Sequence, residues 1–241
     1  MPYLTRLTFN PMASSVQYFM QNRQKIHATI LNAITIQPVT ERILWRLETD
    51  SEVTRYKLYI LTQSSPNWSN VFSLVGTDTS KKVTCETIEV GDYSILLNRI
   101  KNENTFAFKL QANPTHSVII QHTPSDSLKP ASTEVKRRGK RVGHDVIRYQ
   151  LDWITNKKRL ENWGFEFSLD QNGEPRVSVV ERSTLRIKKK LNDRNNIVTI
   201  ASATYSGLLR ITDVEKFKAC LLNGIGPAKS YGCGLLTLAP I

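Results

Sequence analysis

The order of predicted strands and helices, which repeats once along the 241-residue chain, restricts the possible folds more than any other feature of the sequence. Alternating apolar and polar residues predict strands, and apolar residues spaced three or four apart predict helices. In the first half the predicted elements are a strand at residues 3–10, a helix from 14 to 34 that breaks near Gln21 and Asn22, strands at 41–50 and 54–63, a short helix at 67–75 that Asn67 could cap, and a strand at 82–90. Strand, helix, strand, strand, helix, strand is the order of the ferredoxin-like fold.

The second half shows the same order after a boundary near residues 98–104. Its first predicted elements are a strand at 106–110 and a helix at 145–163. Three strands follow, one that begins at residue 165, one at 177–190 and one at 196–212. A helix at 213–222 and a last strand at 235–239 complete the order. A polar stretch without predicted elements, residues 115–143, separates the first strand from the helix. We therefore expect an α+β protein of two tandem ferredoxin-like (RRM-like) domains, residues 1–100 and residues 101–241.

The segment between the last helix and the last strand contains four glycines in residues 224–234. Backbone amides in such a segment can approach a phosphate without an intervening side chain. The segment is not a dinucleotide-binding fingerprint, because Lys229 stands where the third glycine belongs, and it lacks the Gly-Lys-Ser/Thr of a Walker A loop. A connection that uses glycine only for tight packing is the other interpretation.

The net charge is +12, and most of it lies in one part of the chain. Residues 129–194 contain 17 Lys and Arg against 9 Asp and Glu, which gives +8 of the +12. This asymmetry favours a polyanionic partner, and nucleic acid before membrane, because no basic amphipathic helix with a bulky apolar face is predicted. The alternative is that the charge only keeps the protein soluble.

Several classes of protein are disfavoured by what the sequence does not contain. No apolar run approaches the length of a membrane span, and the N-terminus lacks the pattern of a signal peptide. Three scattered cysteines (Cys85, Cys220 and Cys233) predict reduced thiols in the cytoplasm. The histidines have no metal-ligand spacing and no acidic cluster suits Mg²⁺, so we expect no metal cofactor. His116 and His122 are predicted to be solvated loop residues, and His144 to contact RNA or to cap a helix.

His27 lies in the first turn of the resumed helix, inside the arc of its apolar residues Ile26, Ile30, Leu31 and Ile34. One interpretation is a core histidine whose ring nitrogens are satisfied. The other is a functional histidine, because the helix dipole at this position disfavours the imidazolium and would hold the neutral form near physiological pH.

The C-terminal segment resembles one family in particular. Residues 224–230 (GIGPAKS) and 232–236 (GCGLL) are similar to the glycine-rich loop of the CRISPR RNA-processing endoribonucleases, most closely the CasE subunit of type I-E Cascade. Similar stretches occur in the family's order at residues 3–10, 44–48 and 108–114. The resemblance implies a metal-independent endoribonuclease that binds the repeat stem-loop of precursor CRISPR RNA and cuts at the 3′ base of its stem. The adjacent 2′-hydroxyl would attack its own phosphate and leave a 2′,3′-cyclic phosphate.

The resemblance also implies roles for particular residues. The family carries its catalytic histidine early in the first helix, so His27 would be the general acid/base. Some relatives have a tyrosine three residues earlier, where this chain has Gln24, which could orient a phosphate oxygen. Lys229 or Lys25 could offset the charge that grows on the phosphate. The expected partners are precursor and mature CRISPR RNA and the Cascade subunits, especially the CasC-type backbone, with no membrane.

The remaining expected RNA contacts lie in the glycine-rich segment and in two basic segments, residues 136–141 and residues 182–194. The strand that ends near residue 191 would project alternate cations from one face, and by resemblance the hairpin it begins reaches the groove of the RNA stem. A solvated edge strand kept soluble by lysine is the alternative. The expected RNA-binding residues are Lys25, Arg137, Arg138, Lys140, Arg141, Arg186, Lys188, Lys189, Lys190, Arg194, Gly224, Gly226, Lys229 and Ser230.

Two other functions fit the same residues. A non-catalytic RNA-binding subunit would have the same fold and charge, with Gln24 marking a site that has lost its chemistry. A protein-interaction subunit would show no salt-sensitive affinity for RNA.

Overall fold

The structure, a computed structural model, describes residues 1–50, 55–76, 82–118, 140–191 and 194–241. The elements of the N-terminal half are β1 (Tyr3–Phe9), α1 (Ser14–Gln21), α2 (Arg23–Asn32), β2 (Leu44–Asp50), β3 (Arg55–Thr62), β4 (Phe72–Leu74), β5 (Val83–Cys85), β6 (Thr87–Asp92) and α3 (Ser94–Arg99). The elements of the C-terminal half are β7 (Thr105–Ala112), β8 (Thr115–Val118), β9 (Lys140–Gly143), α4 (Ile147–Ile154), α5 (Lys157–Trp163), β10 (Phe165–Phe167), β11 (Val177–Leu191), β12 (Arg194–Ile211), α6 (Val214–Asn223) and β13 (Leu236–Ala239). Within the described ranges, no helix has the length and apolar character that a membrane span requires.

The first sheet has the strand order β2-β3-β1-β6, and each neighbouring pair is antiparallel. Helices α1 and α2 connect β1 to β2, so the sheet has the topology of a ferredoxin-like unit. The predicted break in the first helix is confirmed, because Asn22 separates α1 from α2. Its Oδ1 accepts a hydrogen bond from the Lys25 amide at 3.0 Å and thereby caps α2.

The predicted short helix at residues 67–75 is wrong. The structure has a 3₁₀ turn at Trp68–Asn70, followed by β4, which pairs in parallel with β5. Asn67 does not cap this turn, because its Oδ1 accepts a hydrogen bond from the Ser69 hydroxyl at 2.6 Å. Residues 72–74 pair with β5 instead of continuing the turn, so a contact with a distant segment decides the structure here.

The second sheet has the strand order β10-β12-β7-β13, and β11 also pairs with β12. β10 pairs with the end of β12 and β11 with the rest of it, so β10 and β11 together replace one strand of a ferredoxin-like unit. The predicted helix at 145–163 is divided into α4 and α5, because the Asn156 side chain accepts a hydrogen bond from the Arg159 amide and begins a new helix. The chain thus consists of two tandem ferredoxin-like halves, although in the first half a 3₁₀ turn stands where the sequence predicted the second helix.

The polar stretch at residues 115–143 contains two strands that were not predicted. Its ends form β8 and β9, which pair in an antiparallel hairpin from Thr115 with Gly143 to Val118 with Lys140. The two strands are far apart in the sequence, so no local turn pattern indicates their pairing.

Buried apolar side chains form two clusters, and one of them contains residues of both halves. In this shared cluster Leu44 and Leu61 of the first sheet pack with Phe108 and Leu110 of the second. The other cluster lies entirely in the N-terminal half, between its sheet and α1 and α2. We propose that the boundary between the two domains lies at residue 100. The two domains would then pack against each other through this shared apolar cluster.

Arg46 connects the two sheets through a buried polar network. The residue is 2 % exposed, and Nη1 donates hydrogen bonds to the carbonyls of Lys109 and Leu235, both at 2.9 Å. Nη2 donates to Thr237 Oγ1 at 2.7 Å, and Nε donates to Glu48 Oε1 at 2.7 Å. The network holds β2 of the first sheet against β7 and β13 of the second, and so fixes where the glycine-rich segment enters β13.

Candidate functional site

The glycine-rich segment, residues 224–234, folds back against the N-terminal half. Gly232 has a φ of +87°, and a Cβ on it would lie 2.8 Å from the Trp45 ring. Gly234 has a φ of +96°, and a Cβ there would lie 2.8 Å from the carbonyl oxygen of Ile225. Both positions therefore exclude a side chain on two grounds, backbone conformation and space. Tight packing explains these two glycines.

The same segment leaves a group of backbone amides without a protein acceptor. The amides of Ile225, Tyr231, Cys233 and Gly234 all donate to backbone carbonyls. Within the described part of the chain, no acceptor is found for the amides of Gly226, Ala228, Lys229 and Ser230. These amides lie at the start of the 3₁₀ turn Lys229–Tyr231, where unpaired N–H groups can bind an anion.

That 3₁₀ turn contacts helix α2, which carries His27. His27 is half-buried, and its Nδ1 is shielded from solvent with no hydrogen-bond partner among the described residues. A satisfied core histidine does not fit this environment. Burial lowers the pKa of the imidazole below its ordinary value of 6.5, so the neutral form predominates at physiological pH.

A cleft of about 330 Å³ lies where the junction of α1 and α2 faces β11. It brings together two residues that the sequence predicted separately, Gln24 of the N-terminal half and Arg186 of the C-terminal half. Lys25 lies beside this cleft, with Nζ 4.8 Å from the ring centroid of Tyr18, which lines it. His27 is on the next turn of α2 and is not among the residues that line the cleft.

Lys229 lines a different cleft from Gln24. Its Nζ donates a hydrogen bond to the Gly226 carbonyl at 2.8 Å, and burial lowers the pKa of its ammonium group. Lys229 lines a second cleft, of about 580 Å³, on the C-terminal half. This cleft also contains Gly226 and Arg141, which the sequence predicted to bind RNA, together with Arg159.

The other predicted residues are distributed as follows. Gly224 ends α6, and Ser230 is exposed within the 3₁₀ turn. Lys188, Lys189 and Lys190 belong to β11, Arg194 begins β12, and Lys140 begins β9. His116 is in β8 and stacks on His144 with ring centroids 4.5 Å apart, so it is a strand residue and not a loop residue. Arg137, Arg138 and His122 lie outside the described residues.

Sequence reasoning missed three side chains at these clefts. Tyr18 and Arg23 line the first cleft, and Arg159 lines the second, where its guanidinium lies 4.7 Å from the ring centroid of Trp153. Spacing could have identified Arg23, because it lies four residues before His27 and therefore on the same helical face.

Comparison with known proteins gives full-length matches. The family model described as CRISPR associated protein matches residues 2–240. The CRISPR-associated endoribonuclease Cse3 of Thermus thermophilus is 25% identical over 242 residues, covering 99% of this chain and 100% of the relative. The Cascade subunit CasE of Escherichia coli is 48% identical over 42 residues, covering 17% of this chain and 21% of the relative.

Solved structures share the fold over the same length. The CRISPR endoribonuclease Cse3 bound to a 19-nucleotide RNA has a TM-score of 0.73 at 24% identity, and 99% of each chain is covered. Cas6e from Escherichia coli has a TM-score of 0.55 at 16% identity, with 100% of each chain covered. Because the family model spans nearly every residue, the chain belongs to the family of CRISPR associated proteins.

Proposed function

We propose that this protein is a metal-independent endoribonuclease that processes precursor CRISPR RNA. It binds the stem-loop of the repeat and cuts at the 3′ base of the stem. It then stays bound to the product as a subunit of Cascade, next to the CasC-type backbone. Support comes from the relatives, one of which is named an endoribonuclease and another a Cascade subunit.

The position of His27 carries this proposal. Its imidazole is neutral at physiological pH, and Nδ1 has no protein partner among the described residues. It lies on the helix that packs against the turn with unpaired amides. A neutral imidazole beside a site for anions suits proton transfer at a phosphodiester.

The reaction needs two proton transfers and no other reactant. The 2′-hydroxyl upstream of the cut loses its proton as its oxygen bonds to phosphorus. The bond from phosphorus to the 5′-oxygen breaks, and that oxygen gains a proton to become the 5′-hydroxyl. His27 accepts the first proton or donates the second, and the product upstream of the cut ends in a 2′,3′-cyclic phosphate. Gln24 orients a phosphate oxygen, and Lys25 or Lys229 offsets the charge that grows on the phosphate.

RNA binding is assigned to surfaces that flank this site. Arg186 and the cations that follow it in β11 contact the stem, and β11 with β12 forms the hairpin that reaches it. Arg141, Lys229 and the glycine-rich segment contact RNA through the second cleft. Similar folds occur within solved CRISPR RNA-guided surveillance complexes, one at a TM-score of 0.59, which is consistent with a place in such an assembly.

Cleavage of the stem-loop repeat from the CRISPR array of the same genome tests this function. We expect cutting in EDTA, because the proposed chemistry needs only proton transfer and charge stabilisation. Replacing the single 2′-hydroxyl upstream of the cut by hydrogen should abolish cleavage and leave binding nearly unchanged.

Two outcomes would contradict the mechanism: strict dependence on Mg²⁺, or cutting of the deoxy substrate. Binding of the repeat without any cleavage would instead identify the non-catalytic RNA-binding subunit that the sequence left open. Absence of salt-sensitive RNA binding would indicate the protein-interaction subunit.

A further inference from the structure

Arg23 is a half-buried cation that the described residues do not pair with a carboxylate. It is the first residue of α2, and its guanidinium lies 5.5 Å from the ring centroid of the buried Trp45. Its Nη1 is shielded from solvent and has no hydrogen-bond partner among the described residues. Partial burial lowers the pKa of this guanidinium, because it disfavours the protonated form.

No described carboxylate lies close enough to form an ion pair with Arg23. Glu181 acts on it only through space, and the neighbouring Cys233 is a neutral thiol whose pKa burial raises to about 12. Arg46 offers a comparison within the same molecule, because its buried guanidinium donates four hydrogen bonds. A buried cation normally has such partners. Arg23 therefore has the properties of a side chain whose partner is not part of this chain.

The surroundings of Arg23 indicate the charge of that partner. Arg23 lines the cleft of about 330 Å³ between α2 and β11, together with Gln24 and Arg186. Among the described residues the lining contains two arginines and no acidic side chain; its other members are Tyr18, Gln21, Asn22, Leu185 and Ile187. Two guanidinium groups from opposite halves of the chain suit a phosphate, whose oxygens accept their paired N–H donors.

We propose that Arg23 and Arg186 form a phosphate-binding site and that this site holds the scissile phosphodiester of the RNA. The inference deepens the proposed function and rests on it for the identity of the ligand. Arg23 and His27 are four residues apart on one helix, so their Cβ atoms are roughly 5–6 Å apart. A phosphate bound by Arg23 is then within reach of the imidazole, and the guanidinium donates to its nonbridging oxygens as their charge increases during attack.

The first test is the Arg23→Met variant, which keeps the volume of the side chain and removes its charge. We expect single-turnover cleavage at saturating protein to slow by about 10²–10³-fold, the usual effect of removing one donor to a transition-state oxyanion. Affinity for the uncleavable 2′-deoxy stem-loop should fall by about tenfold or less, since one phosphate contact is lost. The melting temperature should stay the same or rise, because an unpaired buried charge is replaced by an apolar group.

Two further variants separate catalysis from structure. Arg23→Lys keeps the charge but not the planar donors, and its cleavage rate should lie between those of wild type and Arg23→Met. Arg99→Met removes an exposed arginine at the end of α3 and should leave rate and affinity unchanged. Cleavage by Arg23→Met at the wild-type rate would overturn the proposal, and so would a loss of activity accompanied by a marked fall in melting temperature.

A second measurement does not depend on RNA. The melting temperature of wild type should rise more in sodium phosphate than in sodium chloride of equal ionic strength, because an anion that binds the folded state stabilises it. This difference should be smaller in Arg23→Met and unchanged in Arg99→Met. Equal differences in all three proteins would refute the phosphate site. If the wild type cuts no repeat RNA, the proposed function fails, and this measurement still decides whether the site exists.

Discussion

At the scale of single residues, the environment of His27 sets its protonation state and leads to a prediction for its removal. His27→Ala should lower the single-turnover cleavage rate by about 10²–10⁴-fold, the usual contribution of a positioned acid/base. RNA affinity should change little, because a neutral imidazole makes no ion pair with phosphate. The measurement is cleavage at saturating protein beside binding of the 2′-deoxy stem-loop.

The pH dependence of the wild-type rate provides a control on the same residue. Because burial lowers the pKa of His27 below 6.5, the imidazole stays neutral as the pH falls through that value. If His27 is the base, the acid limb of the pH–rate profile lies below pH 6.5 and is absent in His27→Ala. Loss of activity in His27→Ala together with a large fall in melting temperature would instead favour a purely structural histidine.

At the scale of elements, the hairpin of β11 and β12 is the predicted contact with the RNA stem. Each phosphate contact adds about 0.7–0.9 to the slope of log affinity against log salt. Changing Arg186, Lys188 and Lys190 together to Ala should therefore weaken binding strongly and reduce the slope by about two units. Affinity is measured on the 2′-deoxy stem-loop and on an unstructured RNA of equal length.

A variant that removes the same charge elsewhere is the matched control for the hairpin. Lys101, Lys157 and Lys158 are exposed and lie outside the hairpin, so changing all three to Ala tests the effect of net charge alone. If the hairpin variant binds like wild type, or if both variants lose affinity equally, β11 is a solvated strand and the RNA contacts lie elsewhere.

Local patterns in the sequence were sufficient for most elements and insufficient for the site. Alternation and helical spacing identified β1, β12 and α6 because apolar residues recur in each with the period of that element. The helix at residues 67–75 was wrong, since part of that segment pairs with β5 in the tertiary structure. Spacing places Arg23 on the helical face of His27, but its half-buried position beside Trp45 and Cys233 is created only by the tertiary structure.

At the scale of the whole molecule, Arg46 connects the two sheets through hydrogen bonds to residues of both. Arg46→Ala should destabilise the protein by about 3–5 kcal/mol, because Glu48 loses its buried partner and the buried carbonyl of Leu235 loses its donor. The free energy of unfolding in urea measures this effect.

Arg6 supplies the comparison for Arg46 in the same sheet. It forms an ion pair with Glu89 at 2.6 Å, but both side chains are about half exposed. Arg6→Ala should therefore cost less than about 1 kcal/mol. Equal losses for the two variants would show that Arg46 does not connect the sheets in the way described.

The contact between α2 and the 3₁₀ turn Lys229–Tyr231 has a consequence for how the protein reaches its folded state. These two segments are separated by roughly 200 positions in the sequence, and closing so large a loop is slow compared with forming local helices and hairpins. The two sheets can therefore form before His27 and the glycine-rich segment come together. We therefore expect the contact between α2 and this turn, and with it the site for cutting RNA, to form in one of the last steps of folding.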